Sequence, residues 1–436
     1  MKKAALHNLG CKVNAYETEA MGQMLEQAGY ELVPWTQRAD VYVVNTCSVT
    51  NIADRKSRQM LHRARRKNPN AIIVACGCYV QALGKEILME EGIADIILGN
   101  NKKQSLVELL ERYEKQKDVT LAWEDINDGK KPYEPLSITR PAKHTRAFLK
   151  VQDGCDQFCS YCIIPYTRGR VRSRGLSDVL TEISALAQGG CKEIVLTGIH
   201  LSSYGIDIGS SLLELVGRAA EVEGISRIRL GSLEPGIVTG EFVSALAGME
   251  KICPHFHLSL QSGCDSVLKR MNRKYTSEEY LKRCELLRSY FDNPAITTDV
   301  IVGFPGETRQ EFEEGMRFLE RARFYEMHVF KYSRRKGTRA DRMEGQVDER
   351  EKAKRSGELI ELSKRMSMEY RESMCGRTAQ ALFEEPFSYN GKNYAVGYTK
   401  EYVRVAMETE KNRENQVVAG KIIRKLVQDV YLMVEF

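Results

Sequence analysis

The stretch that decides the fold is Ala147-Phe-Leu-Lys-Val151, followed by Gln152-Asp-Gly-Cys155-Asp-Gln-Phe-Cys159-Ser-Tyr-Cys162. The first five residues read as a strand, and three cysteines crowd the loop directly after it. So short a loop brings three thiolates to one point. A protein-only site for a 4Fe–4S cluster takes four cysteines, yet the next one, Cys191, lies far outside the loop. Three ligands leave one iron open, and an open coordination position separates a catalytic metal site from a structural one. A zinc knuckle would need a fourth Cys or His beside these three.

Working outward, the strand opens a series: Ala147–Val151, Glu193–Thr197, Arg227–Gly231, His255–Leu260, Thr297–Val302 and Glu326–Tyr332, each followed by a helical pattern. Six such units predict a partial (β/α)6 barrel with its function at the strands' C-terminal ends. Glu349–Met374 reads as a long charged helix leaving it. Upstream, strands Lys2–Asn8, Val41–Asn45, Ala71–Ala75 and Asp95–Leu98 alternate with helices at Ala15–Ala28, Ile52–Lys67 and near Leu83–Glu90. That alternation predicts an open parallel sheet over residues 1–114. Periodicity fades from Glu114 to Pro141, so residues 115–141 are expected to link it to a barrel domain of residues 142–372. Residues 373–436 switch to short strands, Thr378–Phe383, Tyr394–Thr399, Val403–Met407, Val417–Ile423 and Val427–Val434, with Gly391, Gly397 and Gly420 at turns. This fits a small antiparallel β-barrel, so the class is α/β with a β-barrel appended.

A second cysteine set lies in the first domain. Cys11, Cys47 and Cys78 each follow a predicted strand, and open parallel sheets bind ligands beyond the carboxyl ends of their strands. One such cysteine would be an ordinary small core residue; three at one edge converge on one object. Cys76 continues the apolar run Ile72-Ile-Val-Ala75, whereas Cys78 follows Gly77 as Cys11 follows Gly10. Glycine permits close backbone approach, so Cys78 is the expected ligand and Cys76 its neighbour. Cys191, Cys253, Cys264, Cys284 and Cys375 fit no cluster spacing, and His200, His255 and His257 are expected near the active-site rim as packed or solvated residues.

Composition agrees with this chemistry. The chain of 436 residues exceeds one ordinary core, and its 42% hydrophobic and 28% charged residues are those of a globular protein. No window has the apolar length of a membrane span, and the start lacks a signal-peptide core, so a cytoplasmic location is expected. Twelve cysteines in a reducing compartment argue for metal ligation over disulfides. The net charge of +6 permits a polyanionic partner. Basic residues cluster at Arg55–Lys67, at Arg168, Arg170, Arg172 and Arg174 after the cysteine loop, and at Lys331, Arg334, Arg335, Lys336 and Arg339 after the last barrel strand. Local clustering is what phosphates meet, and Arg168, Arg170, Arg334 and Arg335 are the expected RNA contacts at the mouth. Tyr394, Tyr398 and Tyr402 stack bases or pack their own core.

Cys155-Asp-Gln-Phe-Cys159-Ser-Tyr-Cys162 resembles the signature of the radical S-adenosylmethionine (SAM) superfamily. In that superfamily the open iron chelates SAM, and an electron cleaves it to methionine and a 5′-deoxyadenosyl radical that removes hydrogen from an unactivated carbon. Together with Leu9-Gly-Cys-Lys-Val-Asn14, Asn45-Thr-Cys47, Gly77-Cys-Tyr79, Thr298-Asp-Val-Ile-Val-Gly-Phe-Pro-Gly-Glu307 and Phe330-Lys-Tyr-Ser-Arg-Arg-Lys-Gly-Thr338, it resembles the methylthiotransferase family over nearly the whole chain. The resemblance implies two 4Fe–4S clusters, on Cys11, Cys47 and Cys78 and on Cys155, Cys159 and Cys162, and a C-terminal RNA-binding TRAM barrel. It implies SAM contacts at Thr197, Gly198, Ser232, Glu234, Gln261, Asp299 and Gly303. Leu9 to Thr18 looks most like the branch that converts N6-threonylcarbamoyladenosine at position 37 of tRNA to its 2-methylthio derivative. An electron donor such as flavodoxin or ferredoxin is implied as partner. The rivals are isopentenyladenosine in tRNA, an aspartate of a ribosomal protein, or a non-catalytic iron–sulfur RNA-binding protein.

Overall fold

The computed structural model describes residues 1–89, 92–140 and 145–436. The expected helix end at Glu90 and linker end at Pro141 lie outside them.

The first domain is a parallel six-stranded sheet: β1 (Lys3–Asn8), β2 (Glu31–Leu32), β3 (Val41–Thr46), β4 (Ile72–Gly77), β5 (Ile96–Leu98) and β6 (Thr120–Ala122), in the order β2-β1-β3-β4-β5-β6. Helices α1 (Lys12–Gln27), α2 (Asn51–Lys67), α3 (Cys78–Met89) and α4 (Leu106–Gln116) cover its faces. Every residue of β3 and β4 is buried, as the unbroken apolar runs of a two-sided parallel sheet require. The expected connection after residue 114 is partly absorbed: Thr120–Ala122 pairs in parallel with Ile96–Leu98 as an edge strand. Three residues are too few to show a period, which hides such a strand from a sequence reading.

The barrel follows, with β7 (Arg146–Asp153), β8 (Arg172–Ser173), β9 (Glu193–Gly198), β10 (Arg227–Leu230), β11 (His255–His257), β12 (Ala295–Val302) and β13 (Glu326–Lys331). The six expected strands form two hydrogen-bonded runs, β10-β9-β7 and β11-β12-β13, joined by bridges from Ile228 to Ile252 and from Leu233 to Leu258. The short β8, absent from the sequence reading, pairs antiparallel with the end of β7. Helices start where capping chemistry places them: Thr276 with Glu279 and Thr308 with Glu311 form reciprocal capping boxes. Helix α1 serves two cores, because Tyr16 and Ala20 are packed among the barrel's apolar residues.

Five strands, 378–389, 392–399, 404–408, 417–427 and 430–435, close the C-terminal barrel. It is antiparallel except where residues 405–406 meet 431–432 in parallel. This barrel sits against the N-terminal ends of the large barrel's strands. Arg227 donates to Tyr398 O and Gln380 O, and Arg229 to Lys400 O. Glu193, fully buried at the start of β9, accepts from Arg229 at 2.9 Å and faces Arg146 at 3.5 Å and Arg227 at 3.7 Å. Burial works against its charge, yet Arg229 and Arg146 overcome it and hold the carboxyl at about 2.

Because that value lies below the usual 4.5, Glu193 contributes stability that is complete above pH 4.5 and lost as pH falls toward 2. Urea unfolding at pH 7 should show Glu193→Gln less stable than wild type by about 3 kcal/mol. The gap should shrink through that acid window, whereas a gap constant with pH would contradict the assignment.

Candidate functional site

The N-terminal sheet reverses its strand order between β1 and β3, and the crevice at such a switch point is where open α/β sheets bind ligands. Cys11 follows β1 as the N-cap of α1, Cys47 follows β3, and Cys78 is the first residue of α3. Cys11 and Cys78 thus both stand at helix N-termini. Gly10 adopts φ 101°, and a Cβ there would stand 2.8 Å from Cys47 Sγ. Gly77 (φ 95°) answers a different need than expected: its missing Cβ makes room for Thr46 O of the neighbouring strand. Burial pushes the Cys47 thiol up to about 12, with Cys78 and Cys11 adding to the rise. Burial raises Cys11 too, against Arg168 and with Cys78. The three sulfurs therefore lie within reach of one another's charge. Cys76 is turned away, its Sγ 3.6 Å from Val44 O, and Lys103 and Glu17 are its charged neighbours.

The second thiol group is built by the loop after β7. Ser160 donates to Met271 O and Arg270 O and accepts from Ala340 N–H, while Asn272 holds Phe158 O. Tyr161 meets Phe304 edge-on. Cys155, Cys159 and Cys162 face one another: burial lifts Cys162 to about 12, with Cys159 the leading charge and Cys155 contributing. Arg273, not singled out in the sequence, donates to Cys159 Sγ at 3.3 Å and to Glu234 at 2.8 and 3.0 Å. Three soft thiolates in one short loop are the donor set that an iron–sulfur cluster takes. Thiols with raised pKa release protons when they ligate.

The two thiol groups are tied together by two consecutive residues. Arg168 Nε donates to Cys78 Sγ at 3.3 Å, and the carbonyl of the next residue, Gly169, accepts from Cys155 N–H at 3.0 Å. This overturns Arg168 as an RNA contact. It is fully buried, with its guanidinium on Glu17 at 2.7 and 3.1 Å, on Asn14, and 3.2 Å from Asp153. Arg335 is likewise a tie between domains, bonded to Ser48 and Asn51 and 2.7 Å from Asp54. Arg172 and Arg174 are buried against Asp153 and Glu182. Arg170 and Arg334 stay exposed, Arg170 over the Phe158 ring and Arg334 on Asp341. On α2, Arg55, Lys56, Arg63 and Arg66 also face solvent. Asn51 at its start accepts from Arg335 and donates to Ser333, which brings this basic helix beside the basic loop after β13.

The expected SAM residues stand at strand ends in unequal states. Glu234 is gripped by Arg273, and His200 lies 3.7 Å away. Gly198 fits closely against Gln152, and Thr197 is buried while Ser232 is exposed. Gln261 takes a left-handed backbone (φ 74°) and donates its N–H to Asp299 O. Gly303 offers nothing to a ligand: its N–H goes to Glu307 at 2.7 Å, and Lys352 fills the space beside it. The Gly303–Gly306 segment is thus a turn capped by its own carboxylate. Asp299 points into the barrel, 3.3 Å from His257, and ligand atoms of His257, Asp299 and His328 lie within 4.8 Å of one another. His257 therefore belongs to the interior, not the rim. Tyr398 and Tyr402 are not free for bases, since they stack on each other at 4.7 Å and on Arg146, while Tyr394 is buried in its own barrel.

Residues 3–99 match the model of an uncharacterized protein family, UPF0004, and residues 149–319 match the radical SAM superfamily. A Bacillus subtilis protein named threonylcarbamoyladenosine tRNA methylthiotransferase MtaB is 42% identical, over 97% of this chain and 94% of its own. A protein of the same name from Aquifex aeolicus is 38% identical over 98% and 100%. One from Thermoanaerobacter, named tRNA-2-methylthio-N(6)-dimethylallyladenosine synthase, is 36% identical over 87% and 81%. Among solved structures, the radical SAM methyltransferase TsrM from Kitasatospora setae superposes with a TM-score of 0.54 at 15% identity, over 76% of this chain and 72% of its own. At that identity the likeness is one of fold.

The direction of the Cys76 side chain makes a clean test. Cys78→Ala should cost the chain the iron held by its N-terminal thiols, whereas Cys76→Ala should keep it, with a packing cost of about 1 kcal/mol. Iron assay of anaerobically reconstituted protein reads both, and the reverse pattern would reassign the ligand.

Proposed function

This chain belongs to the radical SAM methylthiotransferases, and on that premise we propose that it converts N6-threonylcarbamoyladenosine at position 37 of tRNA to its 2-methylthio derivative. The observation that carries the reading is the pair of thiol triplets, one per domain, linked through the neighbours Arg168 and Gly169. Enzymes that need a single cluster have no use for the first triplet. The full-length identity to relatives named for threonylcarbamoyladenosine supports the choice of substrate.

The superfamily implies a 4Fe–4S cluster and SAM; Cys155, Cys159 and Cys162 would hold that cluster, and Cys11, Cys47 and Cys78 a second. When bound, these groups supply one-electron chemistry able to take hydrogen from the C2 carbon of adenine and to deliver a methylthio group there. The chain's own residues do the positioning. Arg273 sets the cysteine loop against Glu234, and Arg168 sets Cys78 against the barrel. Glu234, Ser232, Thr197, Gly198, Gln261 and Asp299 are the strand-end groups available to SAM. The exposed arginines and lysines of α2, with Arg170 and Arg334, would meet tRNA phosphates, each contact releasing counterions. No helix among the described residues is long and apolar enough to cross a membrane. A cytoplasmic place of work beside tRNA, with a flavodoxin- or ferredoxin-type electron donor, completes the reading.

Anaerobic reconstitution should give about eight irons per chain, and a Cys155, Cys159 and Cys162 triple-alanine variant about four. A wild-type content of four would remove the second cluster. Given tRNAs carrying either modification, the enzyme should methylthiolate the threonylcarbamoyl form. Activity on isopentenyladenosine alone would overturn the substrate and leave the radical chemistry standing.

A further inference from the structure

Phe158, the residue before Cys159, has a left-handed backbone (φ 48°). That region is unfavourable for a bulky side chain, and Asn272 holds it there by donating to Phe158 O at 3.0 Å. The Phe158 ring touches two exposed side chains. Tyr166, on the short helix Ile164–Thr167, meets it edge-on at 84°, with ring centroids 5.8 Å apart. The Arg170 guanidinium lies over it, 4.6 Å from its centroid.

Both neighbours are fixed through their backbones. Tyr166 N–H donates to Ile163 O at 3.0 Å, and Tyr166 O accepts from Asn127 at 3.4 Å. Arg170 O packs so closely on Gly154 that a Cβ there would stand 1.8 Å from it. Their side chains face solvent all the same: Tyr166 is 48% exposed, and the Arg170 side chain 58%. Arg170 pairs loosely with Asp156, 3.6 Å away and itself half exposed, and such a surface pair contributes little. An exposed ring beside an exposed guanidinium plane, both held in place from below, is the surface on which unpaired bases stack.

We infer that Tyr166 and Arg170, positioned by Phe158, form a stacking platform for an unpaired base next to the target adenosine in the anticodon loop. The inference rests on the function proposed above and adds a site where its RNA is gripped. To bring C2 to the thiol loop, the target base must leave the stack of its own loop. Its neighbour loses a stacking partner at that moment. Phe158 and Cys159 are consecutive, so the platform adjoins a thiol of the loop that the target must approach. A ring and a guanidinium plane replace the lost contact for any base, since every base has a π-face. The charge of Arg170 also suits the phosphate that comes with that base.

The test is a double-mutant cycle between protein and RNA. Wild type, Tyr166→Ala, Tyr166→Phe and Arg170→Ala, each with its iron content measured, are titrated with three anticodon stem-loops that carry N6-threonylcarbamoyladenosine at position 37. One is intact, one is abasic at position 36 and one is abasic at position 38. Tyr166→Ala should bind the intact RNA roughly 10-fold more weakly than wild type does. On one of the two abasic RNAs it should match wild type. Tyr166→Phe, which keeps the ring, should bind all three as wild type does. Arg170→Ala should lower the slope of log K against log salt by about 1, a change that Tyr166→Ala should not show. Equal losses by Tyr166→Ala on all three RNAs, or no loss on any, would overturn the inference and leave the tRNA reading standing. Unchanged RNA binding with loss of reduction by flavodoxin would overturn it too, and assign the patch to a protein partner. A wild type that binds none of the stem-loops would overturn the tRNA reading, and the inference with it. If Tyr166→Ala fails to retain iron, the wild-type affinities still decide: equal binding of intact and abasic RNAs refutes a stacked base.

Discussion

Glu17 has no exposed surface, and its carboxylate is held by Arg168 at 2.7 Å, Lys150 at 2.8 Å and Lys103 at 3.3 Å. Glu17 and Lys103 come from the sheet domain, Lys150 and Arg168 from the barrel, so one buried cluster registers the two domains. Burying charges costs several kcal/mol each and returns it only when the geometry is satisfied on every side. Such a cluster tolerates one arrangement of the domains. The relative position of the two thiol groups follows from it, because Arg168 reaches both Glu17 and Cys78.

The same cluster continues beyond Glu17. Lys103, Lys150, Arg168 and Arg172 meet the carboxylates of Glu17 and Asp153, with Glu134 also acting on Lys150. Asp153 is held well below the usual carboxylate range by Lys150 and Arg168 despite its burial. One of its cations, Arg168, reaches Cys78 Sγ at 3.3 Å. The fold and its chemistry draw on one arrangement of charges.

At the opposite end of the barrel the logic is purely structural. Glu193, Arg146, Arg227 and Arg229 join Tyr402 and backbone carbonyls to seat the C-terminal barrel on the strands' N-terminal ends. That face carries stability in parallel barrels, while chemistry occupies the other. Tyr398 and Tyr402 are consumed in this seat.

Local order was legible in the sequence wherever the signal is itself local. Strand and helix alternation, the three-thiol loop, and the three cysteines after β1, β3 and β4 depend on periodicity and on neighbours a few residues apart. That Cys76 lies within a strand and Cys78 beyond it was legible for the same reason, since the strand run continues through Cys76 and stops at Gly77. Arg168, Arg170, Arg172 and Arg174 look alike as a run. The first, third and fourth became buried ties because acids distant in the chain or across the loop came to meet them, and Arg170 alone stayed exposed. Tyr402 carries no mark in the chain of what it faces. The sequence by itself determined the longer elements and which thiols stand after which strands, because both are written in spacing. Only the tertiary structure decided which charges are spent on holding domains together and which remain for a ligand. A charge is satisfied by whatever lies within a few Å of it, and that is set by packing across the whole chain.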